Sequence, residues 1–311
     1  MPCFKNRMPN LEKLEESLCK IPDDEVLGEI AALLPECAIN KFRVGRSRIY
    51  DEPREEESNL EAFTMILDNS CQSVVLMKVD GHNVTFPSQC CRKLYSTILN
   101  EEPDEVIRIP QNCSTWHELR RFRVTGSRCY ELFTYNGPNW NTKAEKYFWP
   151  KSFTNKFTKH GLEYEDEARR AFIDATGCNV VQCGMVVSHS NKWMGYSPDG
   201  IIFENGHPAA LLEIKCPWNG AKQTITEVVR TCDYISDQSL KRKHKFYGQI
   251  QMGMAMLNLK KCFLVLYAAF DRSILILEEE YDEEFAENMI IRIKKKYFEN
   301  MIHIICDKDD K

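Results

Sequence analysis

No stretch of this sequence is apolar for long enough to cross a bilayer. The longest such run, Phe263 to Phe270, falls far short of the ~20 residues a spanning helix needs, so it reads as a buried strand and no membrane association is expected. The N-terminus carries no apolar core of the kind that marks a secretory leader. The chain has 14 cysteines but no Cys-x-x-Cys pair and no regular spacing between them. That excludes a disulfide framework, and free thiols in a reducing compartment, nucleus or cytoplasm, are the expectation. Positive charge is not in excess: 41 Lys and Arg stand against 46 Asp and Glu, a net charge of −5. Any contact with nucleic acid must therefore be a local basic surface on an acidic whole. No internal repeat appears, which excludes a solenoid.

What remains is 311 residues of ordinary globular composition, 43% apolar and 28% charged. That suits one large α/β domain, or a domain with a smaller appendage. The most informative stretch runs from Gly195 to Trp218. It reads Gly195-Tyr196-Ser197-Pro198-Asp199-Gly200, a short apolar run, a turn at Glu204-Asn205-Gly206, then Leu211-Leu212-Glu213-Ile214-Lys215-Cys216-Pro217. Two apolar segments joined by Asn-Gly predict a β-hairpin. Residues two apart on a strand share a face, so Glu213 and Lys215 point the same way. Charges inside an apolar strand are costly unless paired or metal-bound. Asp199, Glu213 and Lys215 can together hold a divalent cation and an ammonium around one phosphate, with Lys215 either a base whose pKa a metal-rich pocket depresses or a positioned cation; the competing reading is a surface salt bridge on an edge hairpin.

Upstream, residues 1 to about 105 have a separate, mostly helical character. Apolar residues at Leu11, Leu14 and Leu18 predict an amphipathic helix, and Pro22-Asp23-Asp24-Glu25 opens another that continues to Leu34. Asp51 to Glu61 is a dense acidic stretch that reads as solvated. Val74 to Met77 and Asn83 to Phe86 look like short strands about Asp80-Gly81. His82 lies near Cys90 and Cys91, but adjacent cysteines hinder one another as ligands of a single zinc, and a structural role is expected. A charged, Pro-containing connector at Glu101 to Pro110 is the candidate boundary, with the second domain covering residues 106–311.

A helix then starts at Ser114 or Thr115, with Trp116, Leu119 and Phe122 on its apolar side. Arg120, Arg121, Arg123 and Arg128 crowd this region beside Thr125-Gly126-Ser127, a pattern that reads either as a phosphate site or as a solvated basic face. Lysines 143, 146, 151, 156 and 159 interleave with Tyr147, Phe148, Trp149, Phe153 and Phe157, which suits backbone contact with base stacking, although most of these aromatics read as core. A helix opening at His160 and ended by Gly177 carries Glu163 and Glu165, one of which can face the hairpin. Val180 to Val187 reads as a strand. Cys178, Cys183 and His189 are loosely metal-like in spacing but lack a fourth ligand. Lys241-Arg242-Lys243-His244-Lys245 is a basic run that suits DNA contact, transport or a solvated surface. Gln249 follows on a helix whose Met residues read as core. A strand pair, Lys261 to Phe270 and Ile274 to Leu277, and a helix from Tyr281 to Tyr297 complete the chain.

These blocks resemble the lambda-exonuclease-like, YqaJ-type branch of the PD-(D/E)XK nucleases over about Ser114 to Leu277. Trp116-His117-Glu118-Leu119-Arg120 with Val124-Thr125-Gly126-Ser127 resembles the family's block for a DNA 5′-phosphate, with Arg120 and Ser127 on its key positions. Gly126 stands where alanine is often found. Gly161-Leu162-Glu163-Tyr164-Glu165 resembles the helix whose acid, here Glu165, supports the metal. Ser197-Pro198-Asp199-Gly200 and Glu213-Ile214-Lys215-Cys216-Pro217 resemble the catalytic core. Tyr247-Gly248-Gln249-Ile250-Gln251 resembles the block whose glutamine lies near it.

The resemblance implies an α/β fold with a restriction-endonuclease-like core: a central mixed sheet flanked by helices, preceded here by a mostly helical extension. It implies catalysis by Asp199, Glu213, Lys215, Glu165 and Gln249. It also implies one or two Mg²⁺ ions (or Mn²⁺) on Asp199, Glu213, Glu165 and the carbonyl of Ile214, and phosphate or DNA contacts from Arg120, Ser127 and Ser197. The expected activity is 5′-to-3′ hydrolysis of DNA from duplex ends carrying a 5′-phosphate, in recombination or repair. A ring-shaped trimer and a single-strand-annealing or recombinase partner are further implications. An endonuclease or RNA-directed nuclease of the same fold, and a non-catalytic DNA-end-binding scaffold, are the competing readings.

Overall fold

A computed structural model describes residues 53–150 and 155–309. The helices expected at Leu11–Leu18 and Pro22–Leu34, the first residues of the acidic stretch, and Lys151 and Phe153 lie outside the described residues. Asn59–Lys311 form one compact unit.

The described chain begins with helices α1 (Pro53–Cys71), α2 (Val74–Gly81) and α3 (Gln89–Ile98). The strands expected at Val74–Met77 and Asn83–Phe86 do not form. Ser73 caps α2 by accepting from the Leu76 N–H at 3.3 Å, and its hydroxyl donates to the Ala255 carbonyl at 2.6 Å. Val75, Leu76 and Val79 then fall on one buried helical face. A short apolar run fits a buried helix as well as a strand, and here the cap decides. Ala62, Ile66, Val75 and Cys91 share an apolar core with Ile250 and Leu264 of the later chain.

Next come α4 (Ser114–Arg120), β1 (Val124–Thr125), α5 (Gly126–Thr134), α6 (Trp140–Phe148) and α7 (Lys156–Thr176). Cys113, not Ser114 or Thr115, caps α4, its Sγ accepting from the Trp116 N–H at 3.4 Å. Helix α7 starts four residues before His160, at a capping box between Asn155 and Thr158, and ends at Gly177 with φ of 69°, the left-handed conformation a helix C-terminus favours.

The strand expected over Val180–Val187 divides into β2 (Asn179–Val181) and β3 (Val186–Val187), which join different sheets. Gly184 causes the break. Its N–H donates to the Ile107 carbonyl at 2.8 Å, and a Cβ there would lie 2.2 Å from the Ile109 carbonyl oxygen. Strand β4 (Met194–Tyr196) pairs with β1 and β3 in a small three-stranded sheet.

The main sheet is formed by β2, β5 (Gly200–Glu204), β6 (His207–Lys215), β9 (Lys261–Ala268) and β10 (Ser273–Glu280), in the order β10-β9-β6-β5-β2. Only β6 and β9 run parallel. Their crossover holds α8 (Ile225–Thr231), the small hairpin β7 (Ile235–Ser236) and β8 (Ser239–Leu240), and α9 (Lys245–Leu257). The β5–β6 hairpin turns at Asn205 and Gly206, with φ of 51° and 82°, the pair of positive angles a tight hairpin requires. Successive side chains of the sheet pack on opposite faces. Ile202, Leu212 and Val265 meet α7, while Ile201, Leu211 and Leu264 join the core shared with α9. Helices α10 (Glu283–Lys296) and α11 (His303–Asp309), linked by a π-helical turn at Tyr297–Met301, close the chain. This is the mixed sheet flanked by helices that the sequence led us to expect, and the extension before it is helical where described.

Candidate active site

Strand β6 turns Glu213 towards α9, and the short loop between β4 and β5 carries Asp199 alongside it. Glu213 is 1% exposed, and three donors surround its carboxylate. Tyr196 Oη donates to Oε2 at 2.8 Å. Lys215 Nζ and Gln249 Nε2 both donate to Oε1. Lys215 Nζ also donates to the Ile214 carbonyl at 3.1 Å. Asp199 Oδ2 accepts from the Ile214 N–H at 2.7 Å, which ties β5's entry to β6. On α7, Arg169 donates to Glu165 Oε1 at 2.7 Å, to Asp166, and through Nε to the Asp199 carbonyl at 2.9 Å. Glu165, Asp199, Glu213, Ile214, Lys215 and Gln249 all line one cavity of about 920 Å³.

The electrostatics are those of crowded acids. Burial first, and then the Glu213 carboxylate, pushes Asp199 well above the ordinary carboxylate range. Burial likewise raises Glu165, against the pull of Arg169. Burial alone would lower the Lys215 ammonium, but Glu213 and Asp199 outweigh it and hold the group above the usual lysine value. This is opposite to the depression that would suit a neutral lysine base. Three carboxylates and a backbone carbonyl around one lysine make a hard oxygen donor set with excess negative charge. Such a set fits a small divalent cation such as Mg²⁺. The acids that burial would protonate are the same ones a cation would keep ionised.

A second cluster opens onto the same cavity. Arg120, at the end of α4, donates through Nη1 to Ser197 Oγ at 3.0 Å and through Nη2 to Ser127 Oγ at 3.4 Å. Trp116 Nε1 donates to Ser197 Oγ at 3.0 Å, and its ring lies 4.0 Å under the guanidinium. Of the four arginines read from the sequence, Arg120 alone lines the cavity. Arg123 is buried, bonded to Glu101 at 2.7 Å and to the Leu119 carbonyl at 2.7 Å. Arg128 lies over the Tyr147 ring and donates to its carbonyl. Arg121 is exposed. Tyr147 and Phe148 are core, while exposed Phe157, Leu162 and Trp218 rim the cavity. Of the basic run, Lys245 lines the cavity and Arg242 pairs with Asp282.

Tyr196 is the site residue that the sequence reading passed over. Its ring lies between two helices at glycines: a Cβ on Gly126 would come within 2.4 Å of it, and one on Gly253 within 2.4 Å from the other side. The signal was present at Gly253, inside a helix, where glycine is unfavourable without a packing reason.

A Pro-Asp turn leads into one strand and Glu-x-Lys lies on the next strand of a mixed sheet, the arrangement expected from the sequence. Residues 115–259, a little under half of the chain, match the YqaJ-like viral recombinase domain. Among solved structures, the alkaline exonuclease LHK-Exo from Laribacter hongkongensis is similar at 22% identity, over 64% of this chain and 98% of that one, with a TM-score of 0.49. Its complex with dAMP aligns at 24% identity over the same shares, with a TM-score of 0.48. A phage related exonuclease from Haemophilus somnus 129PT aligns at 15% identity over 60% of this chain and 96% of that one, with a TM-score of 0.42. No curated protein matches the chain significantly. Among the described residues no helix is long and apolar enough to cross a membrane.

Proposed function

We propose that this chain is a metal-dependent deoxyribonuclease that degrades duplex DNA from its ends in the 5′-to-3′ direction. The observation that carries this reading is one cavity shared by two unlike clusters, Asp199–Glu213–Lys215 and Arg120–Ser127–Ser197. The first suits hydrolysis of a phosphodiester; the second suits the grip on a terminal phosphate. Asp199, Glu213 and the Ile214 carbonyl, supported by Glu165, would hold one or two Mg²⁺ or Mn²⁺ ions. Bound there, the metal would acidify a water and neutralise phosphate oxygens.

The protein's own groups do the rest. Lys215, held between Glu213 and the Ile214 carbonyl, acts as a positioned cation that orients the attacking water. Gln249 and Tyr196 fix the rotamer of Glu213. Arg120 offers its planar fork to phosphate oxygens, with the Trp116 ring keeping it flat and the Ser127 hydroxyl beside it. Ser197 accepts from both Trp116 and Arg120, which leaves its own proton free to be donated. Exposed Phe157 and Trp218 at the rim offer faces on which bases stack. Assembly into a ring, and a partner that takes up the single strand left behind, extend the same reading to recombination.

The test uses linear duplexes with a 5′-phosphate or a 5′-hydroxyl, closed circles and RNA, each in Mg²⁺ or in EDTA. Phosphorylated linear DNA should be degraded fastest, closed circles should survive, and EDTA should stop the reaction. Circles cut as fast as linear ends would sink the exonuclease reading, and RNA cut in preference to DNA would redirect it. No cleavage of any substrate would leave a DNA-end-binding scaffold. Asp199→Asn and Lys215→Ala should each lose on the order of 10²–10³-fold or more in rate while still binding DNA. Arg120→Ala should erase the preference for a 5′-phosphate.

A further inference from the structure

We propose that Cys90, Cys91, His303 and Cys306 form a zinc site that clamps helix α3 to the C-terminal helix α11, apart from the cavity. One ligand atom from each of the four residues lies within 4.8 Å of all the others. Three of the six separations match the edges of a zinc tetrahedron. Cys91 Sγ and Cys306 Sγ are 3.8 Å apart, and His303 Nδ1 lies 3.3 Å from Cys91 Sγ and 3.7 Å from Cys90 Sγ. Zinc bound at ~2.3 Å to sulfur and ~2.0–2.1 Å to nitrogen gives tetrahedral edges of roughly 3.8 Å between sulfurs and roughly 3.5 Å from sulfur to nitrogen. A disulfide would need the sulfurs at about 2 Å, so the three thiols are grouped without being bonded.

The surroundings prepare each ligand. The far nitrogen of His303, Nε2, lies 3.5 Å from Asp307 Oδ1, one turn along α11. A carboxylate there favours the proton on Nε2 and leaves the Nδ1 lone pair facing the thiols, the arrangement by which second partners orient metal-bound imidazoles. The Ser88 hydroxyl lies 2.6 Å from Cys90 Sγ and 3.4 Å from Cys91 Sγ, where it can donate to either sulfur. Thiolates so close repel one another unless a cation lies among them. Three sulfurs and an imidazole make a soft, closed set that selects zinc and gives Mg²⁺ nothing to bind. None of the four residues lines the active-site cavity, so the role is structural.

Adjacent cysteines ordinarily hinder one another as ligands of a single zinc, and His82 is the nearest histidine in sequence, but at the start of α3 both sulfurs reach the same imidazole, His303 Nδ1. The missing pair is His303 and Cys306, more than 200 residues away and spaced three apart on one helix. That spacing puts both on the same helix face.

The test is metal content. The full chain, purified from zinc-supplemented medium and washed with mild EDTA, should hold stoichiometric zinc by mass spectrometry. Exchange with Co²⁺ should give thiolate-to-metal charge-transfer absorption and the visible bands of a tetrahedral ion. Asp199→Asn and Cys178→Ser should keep that spectrum, while Cys306→Ser and His303→Ala should lose it together with the zinc. Background zinc and no charge-transfer band in the wild-type chain would overturn the proposal without recourse to any variant. So would a disulfide among these cysteines, or zinc retained at full stoichiometry by a Cys91→Ser/Cys306→Ser double variant.

Discussion

Glu213 is a carboxylate in the middle of a five-stranded sheet, and its buried charge is tolerated because Tyr196, Lys215 and Gln249 all donate to it. Of these donors, Tyr196 is the most constrained. Gly126 and Gly253 leave the ring no room to move to either side, so its hydroxyl is a fixed reference for the carboxylate. Tyr196→Phe keeps the ring and removes the bond. A hydrogen bond to a charged group contributes about 1.5–3 kcal/mol, so kcat should fall roughly tenfold or more with little change in DNA affinity. Steady-state kinetics at saturating metal check this, and an unchanged kcat would remove Tyr196 from the site. Gly126→Ala, the residue often found in the resembling family, should push the ring off Glu213 and lower kcat further. The sequence made Glu213 and Lys215 legible because two-residue periodicity puts them on one face. It could not reveal Tyr196 or the separate duties of the four arginines, because those depend on which side chains the fold brings from far along the chain.

At the level of elements, α10 acts as a double cap. Lys294 Nζ donates to the Val79, Asp80 and His82 carbonyls at 2.5, 3.1 and 2.9 Å, closing the C-terminus of α2. Lys296 Nζ does the same for α5, at the Leu132, Phe133 and Tyr135 carbonyls. Helix C-termini expose unpaired carbonyls and attract cations. Lys294→Met should remove a donor from one buried and two partly buried carbonyls and destabilise the fold by about 1–2 kcal/mol. Denaturant unfolding should show a lower midpoint with an unchanged slope. The basic last turn of this helix was readable from its charges, but its targets were not, and α2 itself read as a strand because four apolar residues carry no periodicity.

Helix α7 holds a second test. His160 is buried beside Trp218 and Tyr164, and burial lowers its pKa from the ordinary 6.5. The unfolded chain therefore binds a proton at a higher pH than the folded chain does. Stability should be full above about pH 6.5 and fall as the pH drops below it. Melting curves across pH 5–7.5 should show this slope, and His160→Asn should flatten it.

For the whole molecule, charge is the deciding quantity. A net charge of −5 cannot draw a duplex over a broad surface, and much of the local basic charge is used internally: Arg123 on Glu101, Lys143 on Glu131, Arg242 on Asp282 and Lys192 on Glu102. Arg120 and Lys245 remain in the cavity lining, beside Lys215 on Glu213, with exposed Lys156 lying over the Phe157 and Trp218 rings at its rim. A chain built this way should hold DNA by few phosphates and by stacking. The logarithm of its affinity should fall with the logarithm of salt concentration at a slope of about −2 to −4, as expected for two to four neutralised phosphates. Fluorescence anisotropy with a 5′-phosphorylated duplex, in Ca²⁺ to hold back cleavage, measures that slope. Arg120→Ala should make it shallower by about one, whereas Arg123→Met should leave it unchanged, since that charge is spent inside the fold. A slope near −10 would mean that DNA runs over a wide basic surface assembled from several copies of the chain, and the single cavity would then be too small a unit to explain binding.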